Sequence, residues 1–273
     1  MHVRHRAQDL ALKYPVLYAF NYPLTYYSAF GYKPFKGVKE SLDKYTGNAI
    51  MMPNLTNPSS NVEIRATRFL NNFEKLAKGH EKVHIVAHSF AGFDIRAMIA
   101  LYDLQPKIAS LSTVCTPHNG LTLLDNLTKH TEAEAYLSDA LRPLGLNPYN
   151  VEEFRAGTMY EMNEELEDSE TYQIYSFGSR TSQANVDKFI RFTASAIMDQ
   201  DPLDDNDGIT HPNDCKFRDY LLTFEVSHYE SGGLKAGFDM DLIFGSVTDN
   251  IKLTEAKGDE NIAKKFGLSY QEM

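Results

Sequence analysis

A serine becomes a useful nucleophile only when a base takes its proton and the backbone presents its hydroxyl to a substrate. Residues 86–92 read Val-Ala-His-Ser-Phe-Ala-Gly. They follow the apolar run Val83-His84-Ile85-Val86 and precede a helical pattern from Phe93 to Leu104. A serine on a sharp strand-to-helix turn is a nucleophile elbow. Such a turn needs small residues two before and two after the serine, and here they are Ala87 and Ala91. The turn lifts the Ser89 hydroxyl above the sheet. The next backbone N–H, that of Phe90, then points at a developing oxyanion. The chemistry this predicts is acyl transfer through a covalent intermediate.

The base is expected to be a histidine, and the histidine needs an acid to orient it. Two histidines follow both Ser89 and an acid-rich loop, His211 and His228. His211 stands only four residues past Asp207, too close to be a partner from a separate loop. His228 comes directly after the strand-like run Tyr220 to Val226. The loop Asp199-Gln-Asp-Pro-Leu-Asp-Asp-Asn-Asp-Gly208 supplies the acid. Asp207 is the first choice, with Asp204 and Asp205 as alternatives. A solvated turn and a surface histidine are the plain readings of these segments taken singly. Their common placement argues otherwise: Ser89, the acidic loop and His228 each fall just after a strand-like run, where α/β sheets gather their catalytic groups.

Stepping along the chain, strands are expected at 15–20, 49–52 (stopped by Pro53), 82–87, 108–115, 171–177 (closed by Gly178) and 220–226. Helices are expected near 37–45, after a capping box formed by Ser60 and Glu63, and over 93–104. In the second of these, Ile64, Ala66, Leu70, Phe73 and Leu76 form the apolar face. Residues 121–170 carry no strand signal and are expected to be helical, interrupted from Pro143 to Pro148. Strands alternating with helices imply an α/β class with a mostly parallel central sheet and helices on both faces.

The net charge of −10 and the lack of any Lys/Arg cluster exclude a nucleic-acid surface. No run approaches the roughly 18 apolar residues of a membrane span. Cys115 reads as a small buried hydrophobe and Cys215 as a loop cysteine, and two cysteines make no disulfide framework. No secretory signal is expected. The arm from Met1 to Lys13 holds His2, Arg4, His5 and Arg6, which is compatible with a short mitochondrial transit peptide. His84 and His88 read as satisfied core histidines.

Four segments together resemble the bacterial and mitochondrial triacylglycerol lipases, α/β-hydrolases with an Ala-His-Ser-x-Gly-Gly elbow. Lys82 to Arg96 is similar to the elbow and its helix. Ile108 to Gly120, ending Thr116-Pro117-His118-Asn119-Gly120, resembles Gly-Thr-Pro-His-x-Gly. Phe154 to Asn163 with Tyr172 to Gly178 resembles the segment leaving the lid and the following strand. Asp205-Asn206-Asp207-Gly208-Ile209 to His228 resembles the Asn-Asp-Gly-Leu-Val to His segment. The resemblance implies one α/β-hydrolase domain over 1–273 with a helical cap or lid insertion at 121–170. It implies Ser89 as nucleophile, His228 as base then acid, Asp207 as orienter, no cofactor, and lipid or acylglycerol esters as substrates, with peripheral membrane contact. The stripe Leu121, Leu123, Leu124, Leu127 is then either a lid face or ordinary cap packing.

Two departures stand out. The family's first strand ends in His-Gly, and the residue after that glycine supplies an oxyanion N–H. The matching pair here is Phe20-Asn21, which assigns that role to Tyr22; asparagine tolerates positive φ better than most residues, which would keep the loop's shape. Ala91 replaces an elbow glycine. Asp187 and Glu230 fall near two ligand positions of the family's structural calcium, but two carboxylates make no metal site. The competing expectation is a catalytically weak lipase-like chain serving as a structural subunit of a larger assembly, a mitochondrial one included. Acyl transfer to an alcohol would use the same residues as hydrolysis.

Overall fold

A computed structural model of the chain describes residues 11–21, 35, 37–55, 60–129, 152–167, 170–198, 205–233 and 238–258. Six strands form one all-parallel sheet: β1 Val16–Asn21, β2 Ala49–Asn54, β3 Val83–His88, β4 Ile108–Val114, β5 Gln173–Arg180 and β6 Asp219–Glu225. Their order is β2-β1-β3-β4-β5-β6. The chain runs outward from β1 to the edge at β2, then crosses back to lay β3 on the other side of β1. Strand order therefore reverses at β1/β3, and the crevice at such a switch point is where α/β sheets hold ligands.

The helices are α1 Val38–Thr46, α2 Val62–Leu76, α3 Phe90–Leu101, α4 Thr122–Lys129, α5 Ala156–Glu167, α6 Arg191–Met198, α7 His228–Ser231 and α8 Asp241–Gly258. Alternation along β1 shows how they are distributed. Val16, Tyr18 and Phe20 pack with Val38 and Leu42 of α1 and with Phe244, Val247 and Ile251 of α8. Leu17 and Ala19 pack with Ala66, Phe69 and Phe73 of α2 and with Ile95 and Met98 of α3. A third cluster joins Phe93 to Leu121, Leu123, Leu124, Phe154, Met159, Ile190 and Ile209. It contains no strand residue and seats the segments 121–126 and 152–167 on α3. The described part of the leucine stripe is therefore buried packing; the side chain of Leu127 lies outside the described residues, as do residues 130–151 of the expected cap.

Several boundaries differ from the sequence reading for identifiable reasons. Pro53 does not end β2 but pairs opposite Phe20 within it. β2 is an edge strand, so the missing N–H costs no ladder bond. The cap of α2 is Asn61, whose side chain accepts from the Ile64 N–H, rather than Ser60. Ile64 is exposed, and Arg65 turns inward in its place. Gly178 does not close β5, which continues to Arg180; a side chain there would strike the Tyr220 hydroxyl at 2.5 Å. Cys115 and Cys215 are both buried free thiols.

Candidate active site

Ser89 joins β3 to α3 with φ 56° and ψ −139°. A left-handed φ on a non-glycine residue is strained and persists only where neighbours over-determine it. Here β4 does so. The Ser89 N–H donates to the Val114 carbonyl at 2.8 Å, and Thr116 Oγ1 donates to the Ser89 carbonyl at 2.7 Å. Close approach of the helix is part of the same grip. A Cβ on Gly92 would lie 2.2 Å from Thr116 Oγ1. Phe90 is the first residue of α3, so its N–H belongs to the first-turn donors that have no intrahelical acceptor.

His228 is reached from the far end of the sheet. It opens the short helix α7, capped by Ser227 and Glu230 in a reciprocal capping box. Its backbone N–H donates to the Asp207 carbonyl at 2.8 Å, and its Nδ1 lies 2.9 Å from Asp207 Oδ2. Its Nε2 lies 3.0 Å from Ser89 Oγ. The structure thus brings Ser89, His228 and Asp207 into one hydrogen-bonded line. Asp205 lies outside this line and Asp204 outside the described residues.

The Asp207 carboxylate is fully buried. Its Oδ1 accepts the N–H groups of Ile209 at 2.9 Å and Thr210 at 2.6 Å. Its Oδ2 accepts from Ser179 Oγ and Thr210 Oγ1, both at 2.8 Å, besides facing His228. Burial pushes such a carboxyl up, but the charge and hydrogen bond of His228 and the two backbone donors outweigh it, so Asp207 sits below its ordinary value. The loop is held by the Gly208 N–H on Asn206 Oδ1, and Gly208 takes φ 101°.

The floor beneath this pair is polar and closed. Cys115, itself at φ 55°, contacts Ser179 Oγ at 2.8 Å and Ser231 Oγ at 3.3 Å. Ser231 Oγ donates to the His228 carbonyl and contacts His88 Nε2 at 3.0 Å. Burial, then the nearby His228, hold His88 well below the usual histidine range, so it stays neutral. Cys115, Asp207 and His228 offer three metal-ligand atoms within 4.8 Å of one another. Each already has a hydrogen-bond partner, and the Asp207–His228 spacing is that of a shared proton.

Of the remaining histidines, His84 contacts Ser110 and Glu255, and His118 contacts Arg96 and Thr113. Tyr22 lies outside the described residues. Asn21 before it does not take the positive φ expected of it: it is the last residue of β1, paired with Asn54, and its side chain donates to Asp94. Sequence reasoning missed the partners of that contact. Arg65 and Asp94 are buried charges at helical positions that periodicity alone marks as solvent or core.

No protein-family model matches the sequence, and no curated protein matches it. Solved structures do match. A metagenomic carboxyl esterase, MGS0156, is similar over 90% of this chain and 77% of its own, at 13% identity and a TM-score of 0.66. The mature Bacillus licheniformis lipase BlEst2 is similar over 89% of this chain and 94% of its own, at 14% identity and 0.59. Phospholipase PlaB from Legionella pneumophila is similar over 93% of this chain and 64% of its own, at 12% identity and 0.58. Together with the all-parallel sheet and the serine turn after β3, these similarities identify the fold as that of the α/β-hydrolases.

Proposed function

We propose that this chain is a serine ester hydrolase acting on lipid or acylglycerol esters. The observation that carries the reading is the line from Ser89 Oγ through His228 to Asp207, with the serine held at a strained turn. His228 Nε2 accepts the Ser89 proton as Oγ attacks the ester carbonyl. Asp207 fixes the imidazole in the tautomer that can accept and stabilises the imidazolium. The N–H groups of Phe90 and Tyr22 receive the oxyanion. The tetrahedral species collapses as His228 returns its proton to the departing alcohol. Water, deprotonated by His228, then attacks the acyl carbonyl, and His228 returns that proton to Ser89 Oγ as the bond to the acid breaks.

The lipid preference draws on the solved neighbours, which include a carboxyl esterase, a lipase and a phospholipase. No helix among the described residues is long and apolar enough to cross a membrane. We place residues 121–170 as the cap over this single domain. The test is turnover of soluble short-chain p-nitrophenyl esters beside acylglycerol emulsions, with Ser89→Ala and His228→Ala as blanks. Hydrolysis of both, absent in the blanks, supports the reading. Hydrolysis of soluble esters alone narrows it to a carboxylesterase. No hydrolysis by a folded wild type favours the structural-subunit alternative.

A further inference from the structure

A buried ionic cluster stands on the β1 side of Ser89. Arg65 Nε of α2 lies 2.9 Å from Asp94 Oδ1 of α3, and both residues are essentially without exposure. Arg65 Nη1 reaches Glu153 Oε1 at 2.5 Å and also the Ser60 carbonyl. Burying the Arg65 and Asp94 charges, with Glu153 partly exposed at the cluster's edge, is expensive and is tolerated only with good geometry and added hydrogen bonds.

Two asparagines at the carboxyl ends of adjacent strands supply such bonds. Asn21 and Asn54 are paired in register. Asn54 Nδ2 donates to the Arg65 carbonyl at 3.1 Å. Asn21 Nδ2 donates to Asp94 Oδ2 at 2.9 Å. The β1–β3 register ends with Ala19 opposite Ala87, two residues before Asn21 on one chain segment and two before Ser89 on the other. Asp94 lies on the helix that Phe90 opens. The Asn21–Asp94 bond therefore ties the point where the chain leaves β1 to the element that carries the nucleophile and the first oxyanion donor. Asn54, one strand farther from Ser89, bonds instead to the main-chain carbonyl of Arg65 and touches no charged group of the cluster through that bond.

We propose that Asn21 is a positioning residue for the Phe90 oxyanion donor, its carboxamide locking the end of β1 to α3 through Asp94 and Arg65. The inference rests on the ester hydrolysis proposed above, in which the Phe90 N–H at the start of α3 receives the oxyanion. A donor fixed this way is preorganised for charge that exists only in the transition state, so its loss lowers kcat more than it raises KM. Asp94 and Arg65 are poor probes, because removing either strands a buried charge. Asn21 is neutral and can be changed cleanly.

The experiment compares wild type with Asn21→Ala, Asn21→Gly and Asn54→Ala. It reads kcat and KM on a soluble p-nitrophenyl ester, the affinity of a boronic acid that mimics the tetrahedral anion, and Tm. Removing an oxyanion donor costs about 10²–10³ in rate, so displacing one is expected to lower kcat roughly 10–100-fold. Both Asn21 variants should show that loss with KM within about threefold, and boronate affinity should fall in proportion. Asn54→Ala should lower Tm while kcat holds. Wild-type kcat and boronate affinity in the Asn21 variants overturn the inference and leave the hydrolase reading intact. An equal kcat loss in Asn54→Ala also overturns it, since the cluster then acts only through stability. If Asn21→Ala does not fold, Asn21→Gly carries the comparison. A wild type that neither turns over ester nor binds boronate overturns both readings.

Discussion

Asp207→Asn separates the orientation of His228 from every other feature of the site. The substitution swaps one carboxylate oxygen for an NH2 group without changing shape, so the question is which way the carboxamide turns. On one side stand the backbone N–H groups of Ile209 and Thr210, fixed donors that cannot rotate. On the other stand two hydroxyls, Ser179 and Thr210, which can turn to accept, and His228 Nδ1. The NH2 group is therefore driven to the His228 side. There it can donate only to an unprotonated Nδ1, which forces the ring proton onto Nε2. The imidazole then donates to Ser89 and cannot take its proton. In serine hydrolases, fixing the wrong tautomer lowers kcat by roughly 10⁴, a barrier increase of about 5 kcal/mol. Stopped-flow hydrolysis of a p-nitrophenyl ester should show that loss in both acylation and steady-state turnover. Circular dichroism should show an intact fold, destabilised by about 1–3 kcal/mol for the lost charge-assisted bonds. Retention of kcat within tenfold of wild type in a folded variant would refute the tautomer reasoning and reassign the orienting acid.

Three further outcomes follow from the same geometry. Gly92→Ala places a methyl against the threonine that holds the Ser89 carbonyl; it should cost about 1–3 kcal/mol in urea unfolding and depress kcat, and unchanged values of both would remove Gly92 from the elbow's support. Phe154→Ala should cost about 3–5 kcal/mol, because that ring packs 4.3 Å from Phe90 and seats the cap on α3; a loss under 1 kcal/mol would show that the cap does not rest there. Stability should fall as pH drops below about 6.5, because His88 and His118 are depressed by burial and bind their protons in the unfolded chain first. Each histidine contributes up to about 1.4 kcal/mol per pH unit, with stability rising with pH. Asp214, raised to about 6 by burial, acts in the opposite sense, gaining folded-state protons as pH falls, and offsets one histidine between its folded and unfolded values. Urea midpoints at pH 7 and 5 should differ by the net of roughly one proton; equal midpoints would contradict the buried neutral state of both rings.

Much of the fold was legible because apolar runs of strand length alternate with helical periodicity, and that pattern alone orders a parallel sheet. The positions of Ser89 and His228 were legible for a different reason: they follow β3 and β6, where the sheet must place them, whereas the acidic loop holding Asp207 follows α6 and not the strand expected before it. What escaped the sequence depends on contacts between distant residues. Ile64 fits the apolar face of α2 by spacing, yet Arg65 is the residue turned inward, because Asp94 and Glu153 wait for it. Asn21 reads as a substitute for a flexible glycine, and only the β1 register and the position of Asp94 show that its side chain matters. Pro53 reads as a strand stop because edge position cannot be inferred before strand order is known. Cys115 gives no signal of a left-handed backbone, a conformation glycine would advertise.

The central claim is that Ser89 is an activated nucleophile. Treatment of purified wild type with a fluorophosphonate, followed by peptide mapping, tests it most directly. Attack by Ser89 Oγ expels fluoride and leaves a phosphonyl ester on that oxygen. One modification per chain is expected, located on Ser89, abolished in Ser89→Ala and lost or greatly slowed in His228→Ala. A folded wild type that remains unmodified, or labelling that persists at full rate without His228, would contradict it.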